Sequence, residues 1–173
     1  MTSRAYVALG SNLGDPLATV QAAFAALRNL PQTVLVAASP LYRSAPVGLR
    51  NQPDFITAVA ALDTGLDPEA LLDALFAIEA RFGRRRDFHH APRTLDLDLL
   101  LHGDGIRDTP RLVLPHPRLH ERAFVLLPLL DLAPDIVVPG RGPARRLMDA
   151  CREQRLAKLA IMDSVPDHRT VPS

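Results

Sequence analysis

Asp96 and Asp98 alternate with Leu95, Leu97 and Leu99 in the run 95–101. Side chains two apart on a strand share a face, so both carboxylates point one way while the leucines enter a core on the other. An isolated Asp-x-Asp is commonly no more than the wet face of a half-buried strand. Here Leu100 continues the same face without charge. Aspartate is also a poor strand former, and two repelling carboxylates in a strand call for a cation. Magnesium suits them, because it takes one or two carboxylates and completes its octahedron with water and substrate phosphates.

Just upstream, the stretch 81–93 carries five arginines (Arg81, Arg84, Arg85, Arg86, Arg93) against a single aspartate, Asp87. A charge run is commonly no more than a solvated face, and about half of these arginines fit that description. A basic loop beside a metal can also close over a transferring phosphoryl group, exclude water and stabilise developing charge. Arg84, Arg86 and Arg93 are the candidates for that role. The turn Gly10-Ser11-Asn12-Leu13-Gly14 lies between a strand and a helix start and could approach phosphate. It lacks a Walker lysine and matches no dinucleotide fingerprint, so a structural turn is favoured. His116 and His120 have an i, i+4 spacing, but Pro115 and Pro117 flank the first and argue against the regular helix that would bring both rings together. His116 is better read as a single polar contact to substrate. Phe55 and Phe124 are core residues by default, with a second use as a stacking pair for a flat heteroaromatic ligand.

These groups need a scaffold, and the pattern supplies one. Residues 5–9 read as a buried strand, and Asp15-Pro16 opens an amphipathic helix running to Asn29. The stretch 33–42 reads as a second strand and 54–62 as a third. Asp67-Pro68 opens another helix, with Leu71, Leu75, Ile78 and Phe82 on one face and a left-handed cap at Gly83. With 95–101 the order is strand, helix, strand, strand, helix, strand. That order predicts an α+β fold: a ferredoxin-like sandwich, its sheet mostly antiparallel, with helices packed on one face. Further helices are expected at 121–132 and 143–152 as C-terminal additions, and a frayed polar tail at 166–173.

Composition narrows the classes. A chain of 173 residues at 47% hydrophobic fits one compact domain, taken as 1–165. The net charge of +1 does not describe a general polyanion binder. Cys151 is the only cysteine, which excludes an internal disulfide, a zinc cluster built on cysteines and a cysteine redox pair. The first apolar run ends too early for a signal-peptide core, and no apolar stretch reaches spanning length. A reducing cytoplasm is the expected compartment, with no membrane and no nucleic acid as partners. Lys158 is the only lysine; arginine's planar fork suits phosphate, but a GC-rich genome explains the bias more simply.

Several of these segments together resemble the 6-hydroxymethyl-7,8-dihydropterin pyrophosphokinases of folate biosynthesis. The matching stretches are 6–13, 42–48, 52–55, 78–86, 92–101 and 114–129, and the most specific are Pro92-Arg93-Thr94-Leu95-Asp96-Leu97-Asp98 and Leu114-Pro115-His116-Pro117. The resemblance implies transfer of the terminal diphosphate of ATP to the pterin's hydroxymethyl oxygen, with release of AMP, by a monomer. It places two magnesium ions on Asp96 and Asp98. It assigns ATP to Glu79, Arg84, Arg86, Arg93, Leu99, Arg111, His116 and Arg122, with Arg84 and Arg93 acting beside the two aspartates in catalysis. It places the pterin between Phe55 and Phe124, lined by Ser44, Ala45 and Val47 and read at its edge by the residue at position 57.

Position 57 departs from the family pattern, because Thr57 stands where an asparagine is usual and offers one hydroxyl in place of an amide. A lost pairing at a buried edge costs about 1–3 kcal/mol, roughly tenfold to a hundredfold in affinity. His90 stands where many members carry a tryptophan. Three readings follow: the pterin pyrophosphokinase itself, a paralogue with an altered pterin acceptor, and a non-catalytic module that binds ATP or pterin. Retention of both carboxylates favours an enzyme over a sensor. The aromatic pattern of an RNA-binding sheet is absent.

Overall fold

The computed structural model describes residues 1–44, 53–83 and 94–159. The chain runs β1 (Ser3–Ser11), α1 (Pro16–Arg28), β2 (Thr33–Ala38), β3 (Tyr42–Ser44), β4 (Phe55–Thr64), α2 (Pro68–Arg81) and β5 (Asp96–His102). It continues through the short hairpin β6 (Arg107–Asp108) and β7 (Val113–Leu114), a 3-10 turn (Leu119–Glu121) and α3 (Ala123–Leu132). It ends with β8 (Val137–Val138), β9 (Gly142–Pro143), α4 (Ala144–Asp149) and β10 (Leu156–Lys158). The main sheet has the order β10-β3-β4-β1-β5, with β2 also on β4, and every pair in it is antiparallel. This is the α+β architecture predicted above, with β2 and β3 together in the place of one strand.

The helix starts follow from their caps. Asp15 accepts a hydrogen bond from Ala18 N and Asp67 from Ala70 N, and a proline follows each. Gly83 has φ +87°, the left-handed stop expected after α2. Leu71, Leu75 and Ile78 are fully buried. Each contributes about 1.5–3 kcal/mol of transfer free energy.

The sheet is covered on both faces, which extends the expectation of helices on one. On one side α1 and α2 pack on Val7, Leu9, Ala58, Leu97 and Leu99; on the other, α3 and α4 pack on Tyr6, Val59, Ala61 and Leu100. The apolar run of β1 therefore faces two cores. A register shift between β1 and β5 leaves Leu100 as an extra residue, so Leu100 and Leu101 both enter the second core.

Three boundaries differ from the expectation. The second strand breaks after Ala38, because Pro40 has no N–H to donate; Ser39 takes over, donating its N–H to Val59 O and accepting from Val59 N with its hydroxyl. The helix expected at 121–132 starts at Ala123, since Arg122 is extended (φ −122°, ψ 109°). The helix expected at 143–152 is only α4, and the chain then adds β10 to the free edge of β3. There Lys158, its ammonium 5.7 Å from the Tyr42 ring centroid, and Tyr42 both engage Asp131 of α3.

Candidate active site

Strand register builds the site. Tyr42, Thr57, Gly10 and Asp96 stand opposite one another across β3, β4, β1 and β5, and Val59, Ala8 and Asp98 form the next row. The face they share is the one α3 covers farther along the sheet, and beyond α3 it opens as a cleft of about 640 Å³. Its floor is Ala8 and Gly10. Asp96 and Asp98 line one side, Phe55, Thr57 and Ser44 the other, and Arg118, Glu121, Arg122, Phe124 and Gln154 also line it. The small floor residues matter because any larger side chain there would fill the space between the hydroxyl and the carboxylates.

Side chains of the β1–α1 turn hold the strand ends that carry these groups. Ser11 Oγ donates to Thr94 O at 2.5 Å, at the start of β5, and Asn12 Nδ2 donates to Pro53 O at 3.2 Å, just before β4. The turn is thus a strut between the two sides of the cleft, in keeping with its structural reading.

Glu79 sits beside β5 rather than among the cleft-lining groups. It is 2% exposed, and its Oε2 accepts from Leu97 N at 2.8 Å. Among the described residues β1 is the only sheet neighbour of β5, so this carboxylate satisfies an N–H lying between Asp96 and Asp98. Glu79→Ala is expected to lower unfolding free energy by about 2 kcal/mol, the cost of a buried donor left unpaired, and Glu79→Gln, which keeps an acceptor, to lose less than half of that. Urea denaturation measures both, and equal losses would remove the Leu97 bond as the cause.

His116 Nδ1 accepts from Arg118 N at 3.1 Å, which leaves Nε2 as the protonated nitrogen of the neutral ring. Burial holds the His116 pKa below its ordinary value; Asp98 opposes this, while Arg122 and Arg118 add to it. The neutral ring is therefore a hydrogen-bond donor set among a carboxylate and two guanidinium groups. His120 has other partners, Arg141 Nη1 at 3.2 Å and Glu121 Oε1 at 3.5 Å. Arg122 lies with its guanidinium carbon 5.5 Å from the Phe124 ring centroid, a cation–π arrangement.

Of the sequence candidates, Asp96, Asp98, Ser44, Phe55, Thr57, Arg122 and Phe124 meet in this cleft. The Thr57 hydroxyl is buried there without a hydrogen-bond partner among the described residues. Leu99 points its side chain into the α1/α2 core, leaving only its main chain for a ligand. Arg111, in the β6–β7 connection, forms an exposed ion pair with Asp73 of α2. Arg84, Arg86, Arg93, His90, Ala45, Val47 and the tail 166–173 lie outside the described residues. Arg118 and Gln154 were not picked out from sequence. Arg118, two residues after His116, carried a charge signal; a lone glutamine near a C-terminus carries none.

Asp96 and Asp98 suit a magnesium ion by the chemistry of their donors. Among the described residues no cluster of three or more His, Cys, Asp or Glu side chains surrounds a common point, so a metal here would take the two carboxylates and draw its remaining ligands from substrate and water.

Fold and site together define a ferredoxin-like α+β domain whose cleft sets paired carboxylates against aromatic rings and arginines. Residues 6–134 match the family model described as 7,8-dihydro-6-hydroxymethylpterin-pyrophosphokinase. The chain is 53% identical over 159 residues to 2-amino-4-hydroxy-6-hydroxymethyldihydropteridine pyrophosphokinase of Pseudomonas aeruginosa, covering 92% of this chain and 98% of that one. It is 43% identical over 155 residues to the Haemophilus influenzae protein of the same name, covering 90% and 97%. Among solved structures, Plasmodium falciparum HPPK-DHPS with pteroate shares the fold at a TM-score of 0.71 and 14% identity, covering 92% of this chain and 48% of that one. The chain belongs to the 7,8-dihydro-6-hydroxymethylpterin-pyrophosphokinase family.

Proposed function

We propose that this chain transfers the terminal diphosphate of ATP to the hydroxymethyl oxygen of 6-hydroxymethyl-7,8-dihydropterin, releasing AMP, and that the cleft described above is where it does so. The family carries the reaction. The observation that carries the site is the row Thr57–Gly10–Asp96: an orphaned hydroxyl beside an aromatic ring, a floor without a side chain, and then the first of two carboxylates. A flat ring with a polar edge fits one end of this row and a metal-bound phosphate the other.

In this reading Phe55 and Phe124 stack on the pterin, and Ser44 and Thr57 meet its polar edge, with Ala45 and Val47 added by the resemblance. Asp96 and Asp98 hold magnesium, taken as two ions, which when bound neutralises phosphate oxygens and fixes their direction. Arg122 and the Nε2–H of His116 donate to phosphate oxygens; Arg111, Glu79 and the main chain of Leu99 enter the ATP set from the resemblance alone, Glu79 being bonded to Leu97 N and Arg111 paired with Asp73 in the structure. Arg84, Arg86 and Arg93 enter from the resemblance alone, Arg84 and Arg93 as catalytic cations. The residues contribute alignment of the alcohol oxygen in line with the β-phosphorus and stabilisation of charge on the transferring group. No observation favours an altered acceptor or a non-catalytic module.

We also take the chain to act as a cytoplasmic monomer with a single domain over 1–165. What supports the last point is that the main sheet draws strands from Ser3 through Lys158. No helix among the described residues is long and apolar enough to cross a membrane.

Purified protein with Mg-ATP and 6-hydroxymethyl-7,8-dihydropterin is expected to form AMP and pterin diphosphate in equal amounts. Absence of AMP at high enzyme concentration would overturn the assignment.

A further inference from the structure

Gln154 lies in the turn between α4 and β10, far along the chain from the main-chain groups its side chain bonds. Its Oε1 accepts from Ala123 N at 2.9 Å, and its Nε2 donates to Glu121 O at 2.7 Å. Glu121 O belongs to the peptide plane before the Arg122 Cα and Ala123 N to the plane after it. One planar amide thus grips both planes, and rotation of those planes is what φ and ψ of Arg122 describe.

That grip answers a local need. Arg122 is extended at the junction of the 3-10 turn and α3, and its own side chain gives α3 no capping bond. Ala123 N is one of the donors a helix start leaves without an intrahelical partner. Gln154 supplies the acceptor from a distant segment. The turn that bears it is itself anchored: Gln154 N donates to Cys151 O at 3.0 Å, and the buried Cys151 thiol lies 3.6 Å from His120 O. Two residues later Leu156 pairs with Ser44 at the opposite side of the cleft.

We infer that Gln154 is a positioning residue, acting through Arg122 to hold that guanidinium beside Phe124 in the nucleotide-binding geometry. The inference rests on the proposed function only in giving Arg122 a nucleotide to bind. It makes the turn before β10 part of the site's machinery, and it couples α3 to the strand that borders Ser44.

Two variants test it in the full-length protein. Gln154→Leu keeps an uncharged side chain of similar bulk, one atom shorter, and removes both bonds; Gln154→Glu keeps the acceptor for Ala123 N and loses the donor to Glu121 O. Calorimetry with Mg–α,β-methylene-ATP is expected to show about tenfold weaker binding for Gln154→Leu, as loss of two modest hydrogen bonds implies. In an Arg122→Ala background the same change is expected to cost less than about twofold, because coupled sites lose additivity. Equal losses in both backgrounds would overturn the inference. Amide hydrogen exchange provides a readout free of nucleotide: Ala123 should exchange about tenfold faster in Gln154→Leu and near the parent rate in Gln154→Glu, while Val7 and Ala60 in the sheet stay protected as the control for folding. Unchanged Ala123 exchange in Gln154→Leu would equally overturn it. If the parent binds no nucleotide, the functional reading fails on that result, and the exchange measurement still decides whether Gln154 sets the Arg122 backbone.

Discussion

Asp98→Asn is expected to lower kcat about a thousandfold, the scale of a metal's transition-state charge stabilisation, while leaving Tm unchanged or raised. The two halves of that expectation have one cause. Asp96 and Asp98 lie on one face of β5, with the uncharged Ala8 and Gly10 opposite them on β1. Two like charges at this spacing repel. The fold tolerates the repulsion because β5 is held independently, by its ladder with β1, by Leu97 and Leu99 in the core, and by Glu79 on the Leu97 N–H. Asparagine keeps size and one oxygen but removes the charge that would hold a cation, so binding of the metal falls and folding does not. Asp96→Asn should lower kcat on the same scale, as the second carboxylate of the pair. A variant with parent kcat and lowered Tm would make the pair a structural feature and remove it from the mechanism.

What the sequence made legible follows from how local each signal is. The caps at Asp15 and Asp67, the stop at Gly83 and the alternation around Asp96 and Asp98 are set by neighbours within a few residues, and each is present in the fold. The break at Ser39-Pro40 had a local signal too, since proline cannot donate to a ladder; but the strand resumes on the same partner, β4, which only the sheet reveals. Leu100 and Leu101 entering one core is invisible to an alternation rule, because the extra residue exists only relative to β1. The strands of two or three residues, β6 through β10, are too short for any period to register. For the site, Asp96, Asp98, Phe55, Thr57, Arg122 and Phe124 stand out by their chemistry and line one cleft, whereas the bonds on either side of Arg122 come from a common residue type whose meaning depends on the fold bringing distant segments together.

The same register yields the second large effect, at a residue with no side chain. Gly10 sits between Thr57 and Asp96 on the cleft face of the sheet, with regular strand backbone and no positive φ. A Cβ built there would come 3.7 Å from Thr57 Cγ2 and 4.0 Å from Ile56 O, both ordinary contacts, so the fold does not require glycine. Beyond Cβ, each added carbon enters the space between the polar edge and the metal side of the cleft. Activity and stability should therefore separate in the series Ala, Val, Leu at position 10. Valine gains up to about 1 kcal/mol of strand preference over glycine, so Tm is expected to hold or rise. Over the same series kcat/KM should fall, modestly for Ala and by about a hundredfold or more for Leu, as misplacement of reacting atoms by an ångström implies. Steady-state kinetics with both substrates and thermal melts on the same samples measure the two trends. Full activity in Gly10→Leu would mean that substrate does not cross this floor, and the row that carries the proposed site would no longer support it. A joint fall in Tm and activity would instead show that glycine is needed by the strand. Opposite signs are the signature of a position kept small for what must lie above it.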